Sequence, residues 1–251
     1  MMKQIIEKWY LNLPFPEKYR EDFYKLLDTC RLEPCTLEQY LETSHDGQEN
    51  LLMFLYFCEE LYEKYQAYAI EDSVFYDTVE DIVRWTNTYH SVYGKLGLEE
   101  INWLKYHMAC RIFKLGRLQF EMRENEVGVH IPEGEPLDYE RCLQSFAYAK
   151  SFFAKHFPAF SYEKFTCHSW LLDAGLIPLL GKNSNIAKFQ TLFTMGTSDV
   201  SDAAIRYVFG WDKKRETIAQ VTPKSGFAAR LHAYIMAGGV LHATNGVREK
   251  E

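Results

Sequence analysis

Two spacings of apolar residues divide the chain. Up to about residue 114 they recur every three or four positions, the signature of helices with one buried face. Residues 17–30 place Tyr19, Phe23, Leu26 and Leu27 on one stripe, and Pro34 ends that element. A short helix begins at Thr36, and Ser44, His45, Asp46 and Gly47 form a loop. Residues 48–69 form a long amphipathic helix with Leu51, Phe54, Leu55, Cys58, Leu61, Tyr62 and Tyr65 inward and Glu59, Glu60, Glu63 and Lys64 outward. A second long helix starts with Ser73 as its N-cap and ends at Gly94 and Gly97. Ile101, Leu104, Met108 and Ile112 then extend one helix over residues 99–114, so this half is expected to be entirely helical.

From Gly116 the period changes to two. In residues 117–122, Leu118, Phe120 and Met122 fall on one face and Arg117, Gln119 and Glu121 on the other, which predicts a strand whose polar face meets solvent or substrate. Residues 127–131 repeat the pattern, with Gly128 and His130 opposite Val127, Val129 and Ile131, and stop at Pro132, Glu133 and Gly134. A helix capped by Asp138 follows, carrying Cys142, Phe146, Ala149, Phe153 and Phe157 until Pro158. Residues 165–172 are a third strand. A strand, a helix and a strand in this order form a parallel unit, and ligands favour the carboxyl edge of such a unit. Phe153 and Trp170 are expected to be buried where that helix covers the sheet. Further on, Ser184 caps a helix through Phe193, residues 203–209 read as a strand and 225–236 as a helix. Residues 240–247 read as a last strand, unless Thr244, Asn245 and Gly246 make a hairpin turn. Gly116 is therefore the expected joint between a domain of residues 1–115 and one of residues 116–251.

Composition and charge narrow the function. Apolar residues at 47% and charged residues at 25% fit an ordinary globular chain. The most apolar run, residues 51–61, meets Glu59 and Glu60 too early to span a bilayer. The opening residues hold Lys3, Glu7 and Lys8 and lack the apolar segment of a signal peptide, so a cytoplasmic location without membrane association is expected. The net charge of -7 resides in residues 1–115, which carry -8 against +1 for the remainder, and this argues against nucleic acid as a partner. Six scattered cysteines form no CxxC pair, so reduced thiols and no metal are expected.

The segments LGRLQFE, VHIPEGEPLD, SFFAKHFP, FTCHSWLLD and NSNIAKFQ, in this order and spacing, resemble the C-terminal domain of bacterial acyltransferase-domain proteins, a GNAT-like module behind a helical N-terminal domain. The resemblance covers residues 115–251 and only loosely the helical half. It implies an α+β or α/β fold, a helical N-terminal domain followed by a GNAT-like mixed sheet with flanking helices. It also implies transfer of an acyl group from acyl-coenzyme A or acetyl-coenzyme A, as co-substrate, to an amine or hydroxyl on a small-molecule or peptide acceptor.

Such chemistry needs a base for the acceptor and a polarised thioester carbonyl. His130 is the first candidate base and Glu121 the second. Arg117, Gln119 and Ser169 are the candidate substrate-binding residues. Cys167 reads as core, and His168 points away from it within the strand. Gly134, Leu137 and Asp138 stand where a GNAT protein cradles the coenzyme's pyrophosphate. There the chain departs from the pattern: the Arg/Gln-x-x-Gly-x-Gly/Ala loop is missing, and Glu133, Glu135 and Asp138 bring three carboxylates. The alternative is a non-catalytic GNAT-like binding or interaction protein.

Overall fold

A computed structural model describes residues 1–224 and 226–250. The chain divides into two compact units, Met1–Lys114 and Leu115–Glu251.

The first unit contains helices α1 (Met2–Asn12), α2 (Arg20–Thr29), α3 (Leu37–Leu41), α4 (Gly47–Ala67), α5 (Asp72–Tyr93) and α6 (Ile101–Met108). Thr36 and Asp46 close capping boxes with Gln39 and Glu49, fixing the starts of α3 and α4. Helix α5 begins after Glu71, and Ser73 lies inside it. Leu51, Phe54, Leu55, Cys58, Leu61 and Tyr65 of α4 are buried, as their spacing predicts. Between α5 and α6, Asp81 Oδ2 accepts from Trp103 Nε1 at 3.2 Å and lies 3.2 Å from His107 Nε2, which satisfies a buried carboxylate with two rings.

The single helix expected over residues 99–114 is not formed. It stops at Met108, Cys110 turns the backbone to φ 55, and strand β1 (Ile112–Leu115) follows. All four strand residues are buried, so no alternation betrays them and the helical spacing of Ile112 is accidental.

The second unit carries β2 (Leu118–Met122), β3 (Glu126–His130), α7 (Tyr139–His156), β4 (Lys164–Ser169), α8 (Ile177–Leu180), α9 (Asn185–Gln190), β5 (Thr194–Val200), α10 (Ala203–Phe209), α11 (Gly226–Met236) and β6 (His242–Glu249). The mixed sheet has the order β1-β2-β3-β4-β6-β5. Strands β3 and β4 are parallel, whereas β2 with β3, β4 with β6, and β5 with β6 are antiparallel. Helix α7 crosses between the parallel strands and covers one face, where Phe120, Phe146 and Phe165 meet edge to face at 5.0–5.8 Å. Phe153 is buried on the same helix beside Phe160 and Tyr162. Phe153→Ala is expected to cost about 3–5 kcal/mol, read as a lower unfolding midpoint in denaturant; an unchanged midpoint contradicts this placement.

Two further expectations need correction, one strand was not expected, and one open choice is decided. Trp170 is not under α7: the third strand ends at Ser169, and residues Trp170–Leu172 make a 3-10 turn. Trp170 packs instead on a separate cluster of Leu176, Ala204, Ile205, Ile218, Leu231 and Ile235. Residues 203–209 are helical, because Ala204, Ile205 and Val208 reach that cluster at helical spacing, and a short apolar run does not distinguish the two periods. Strand β5 was not foreseen, since every residue of it is exposed and it pairs at the sheet edge without an apolar face. Finally, Thr244, Asn245 and Gly246 run straight through β6, opposite Ser169, His168 and Cys167. The helix expected to start at residue 225 runs from Gly226, and Ser225 lies outside the described residues.

Candidate functional site

The polar face of β2 does not meet solvent. Arg117, Gln119 and Glu121 are 4%, 1% and 6% exposed. Each buried polar group must therefore have a task.

Glu121 and His130 are brought together. Gln119 stands opposite His130 and Glu121 opposite Gly128 in the β2–β3 ladder, so the two titratable side chains are diagonal neighbours on one face. His130 Nε2 lies 3.0 Å from Glu121 Oε2. The same oxygen accepts from Arg123 Nε at 2.9 Å and Arg123 Nη2 at 2.8 Å. Burial alone raises the Glu121 carboxyl, but the hydrogen bonds from His130 and Arg123 and their charges outweigh it and hold it at about 2. Glu121 is thus ionised at neutral pH and can only accept. His130 Nε2 must carry the hydrogen, so in the neutral ring Nδ1 is the basic nitrogen.

Glycine at residue 128 leaves the space that the Arg123 guanidinium occupies. A Cβ there would lie 2.6 Å from the guanidinium carbon. Arg123 Nη1 also lies 3.4 Å from Glu126 Oε1 and from Thr166 Oγ1, and Thr166 Oγ1 donates to Glu126 at 2.9 Å. Neither Arg123 nor Thr166 stands out in the sequence as part of this network. A lone glycine inside an alternating strand was the available signal, since it marks a close approach.

This network sits where the parallel pair opens. The β3–β4 ladder pairs Glu126 with Lys164, Val127 with Phe165 and Gly128 with Thr166, while the strands themselves continue to His130 and Ser169. His130 therefore lies beyond the last pair, on the carboxyl side of β3. Ser169, a candidate for substrate, accepts from Leu171 N at 3.1 Å and caps the turn that follows. His168 faces Asn245, with Nδ1 2.9 Å from its Oδ1. Cys167 is core, and burial pushes its thiol up to about 12, which leaves no thiolate nucleophile there.

The loop from β3 to α7 is anchored by Arg117. Its Nη1 donates to Pro132 O at 2.9 Å, Nη2 to Glu135 O at 2.7 Å and Nε to Pro136 O at 3.0 Å. Its own N–H donates to Ser145 Oγ on α7. Gly134 takes φ 101, a conformation that side chains disfavour, and a Cβ there would meet nothing within 4 Å. Leu137 is buried, and Asp138 caps α7 by accepting from Arg141 N at 3.0 Å. Glu135 forms an ion pair with Arg141. Of the three carboxylates read from the sequence, one is a helix cap and another already has a guanidinium. Among the described residues no cluster of His, Cys, Asp and Glu could hold a metal ion, and no helix is long and apolar enough to cross a membrane.

Residues 112–248 match the family described as GNAT-like C-terminal domain, and residues 11–110 match the N-acyltransferase N-terminal domain. No curated protein matches the chain. Among solved structures, an acyltransferase in complex with decanoyl-CoA and teicoplanin shares 24% identity at a TM-score of 0.74, covering 80% of this chain and 66% of that one. An acyltransferase mutant in complex with octanoyl-CoA shares 23% at 0.74, with the same coverage. An acyltransferase with CoA and 10C-teicoplanin shares 24% at 0.73. At this identity the likeness is one of fold, and the chain spans 66% of the length of those neighbours.

Proposed function

The chain belongs to the family of the GNAT-like C-terminal domain, and from that premise we propose that it transfers an acyl group from an acyl-coenzyme A to an amine or hydroxyl of a small-molecule acceptor. One observation carries the reading: the Glu121–His130 pair stands at the carboxyl edge where the ladder between β3 and β4 ends. That edge is where strand–helix–strand units take ligands.

When bound, the donor supplies an electrophilic thioester carbonyl and a thiolate leaving group. His130 Nδ1 takes the proton of the acceptor as its nitrogen or oxygen bonds to that carbonyl carbon and the carbon–sulfur bond breaks; solvent protonates the departing sulfur. Glu121 stabilises the imidazolium formed in that step without itself taking the proton, because its carboxyl is held at about 2. The loop that Arg117 anchors, with the Gly134 backbone and Arg141 at the start of α7, is the proposed holder of the coenzyme's phosphates. A phosphate there would compete with Glu135 for Arg141. Gln119 and Ser169 stay in the proposal as neighbours of the acceptor.

Because Asp138 caps α7 and Glu135 pairs with Arg141, these carboxylates do not argue for the non-catalytic alternative. The solved neighbours hold decanoyl-CoA, octanoyl-CoA and teicoplanin, which makes medium-chain donors the first to try. The test is release of free coenzyme thiol from acetyl-, octanoyl- and decanoyl-coenzyme A in the presence and absence of a panel of amines. Acceptor-dependent release supports the transferase; no release above the rate without protein, for any pair, contradicts it.

A further inference from the structure

Gly128 contributes no side chain, and the space it leaves is filled by the Arg123 guanidinium, which comes from the turn after β2 and lies across β3. Two of its nitrogens bond the Glu121 oxygen that also holds His130, and the third is 3.4 Å from both Glu126 and Thr166. The guanidinium therefore has a fixed place, braced from three strands. Its placement has two electrostatic consequences for His130. It shares the negative charge of Glu121, and it sets a cation near the ring. Both disfavour a second proton on the imidazole. A carboxylate alone at 3.0 Å would do the reverse and hold the ring as imidazolium, which cannot accept a proton.

We infer that Arg123 is a positioning residue which, seated over Gly128, fixes Glu121 on His130 and keeps the ring in its neutral Nε2–H form. The inference rests on the reading of His130 as the base. Gln119 stands opposite His130 in the β2–β3 ladder, and the charged neighbours that Arg123 touches besides Glu121 include Glu126 on β3. Lys164 is 3.8 Å from Glu126 and so tends to neutralise it. These groups are unchanged in the variants below, so a change in His130 reports on Arg123.

The experiment follows the ring nitrogens of His130 by NMR across a pH titration of the intact, histidine-labelled protein, alongside the pH dependence of kcat/KM. Arg123→Gln removes the charge. Gly128→Ala keeps the charge but displaces the guanidinium, and a strand accepts alanine. Arg123→Lys restores the charge without the two-nitrogen grip. In the unaltered protein the neutral ring should be the Nε2–H tautomer. In Arg123→Gln and Gly128→Ala the His130 titration should move upward by about one pH unit, and the acid limb of kcat/KM should move with it. KM for the donor should stay within a few-fold, and activity should return at higher pH. Arg123→Lys should fall between. A His130 titration unchanged in both Arg123→Gln and Gly128→Ala overturns the inference, as does a shift confined to Arg123→Gln, because the seat over Gly128 would then be irrelevant. A shifted titration in a protein with no acyl transfer would uphold the hold of Arg123 on His130 and remove His130 as base, which separates the two claims.

Discussion

His130→Ala is expected to lower kcat for acyl transfer by about a hundred- to ten-thousand-fold, with donor affinity within a few-fold of the unaltered protein. A base acts in the transition state, so its loss appears in kcat and kcat/KM together and leaves binding largely alone. The ring's Nε2 hydrogen goes to Glu121, which keeps two bonds from Arg123 when the ring is gone. Glu121 therefore remains ionised and satisfied, and the fold should tolerate the change. Steady-state kinetics with saturating donor, together with a thermal unfolding curve, separate the effects. Undiminished kcat in a folded His130→Ala protein removes it as the base.

The second large effect is one of stability. Arg117→Met preserves the apolar stem but removes the guanidinium that binds the carbonyls of Pro132, Glu135 and Pro136. A carbonyl left without its donor costs about 1–3 kcal/mol where water does not reach it, and one of the three bonds is buried and two part-buried, so the loss is expected to be about 3 kcal/mol. Denaturant unfolding measures it. The loop between β3 and α7 should also lose its fixed course, and donor affinity should fall with it. A stability within experimental error of the unaltered protein would mean that Arg117 does not anchor this loop.

The strand–helix–strand unit was legible because its signals agree with one another. Leu118, Phe120 and Met122 alternate against polar residues, Asp138 stands ahead of a helical stripe, and breakers occur at Pro132 and Gly134. Where signals were weak, the reading failed. Ile112 continued a helical spacing by chance, and only the backbone turn at Cys110 separates α6 from β1. Strand β5 has no buried face, so its pairing with β6, rather than its own side chains, defines it.

The site divides in the same way. His130 and Glu121 could be picked out because each alternates away from apolar neighbours, and their diagonal contact follows from the hairpin register. The role of Arg117 could not be read. An arginine on the polar face of a strand looks like a ligand-binding group, and its three carbonyl partners come from a loop fifteen to nineteen residues further along. The loop carboxylates looked hostile to phosphate as a count of charges; the contacts of Asp138 with the α7 backbone and of Glu135 with Arg141 depend on geometry that a count does not contain.

Calorimetric titration of the intact chain with decanoyl-coenzyme A, at moderate salt, tests the central claim most directly. Use of an acyl-coenzyme A donor at the opening between β3 and β4 predicts saturable binding at one site per chain, weakened in Arg117→Met but nearly unchanged in His130→Ala. Absence of saturable heat with decanoyl-, octanoyl- and acetyl-coenzyme A alike would contradict it.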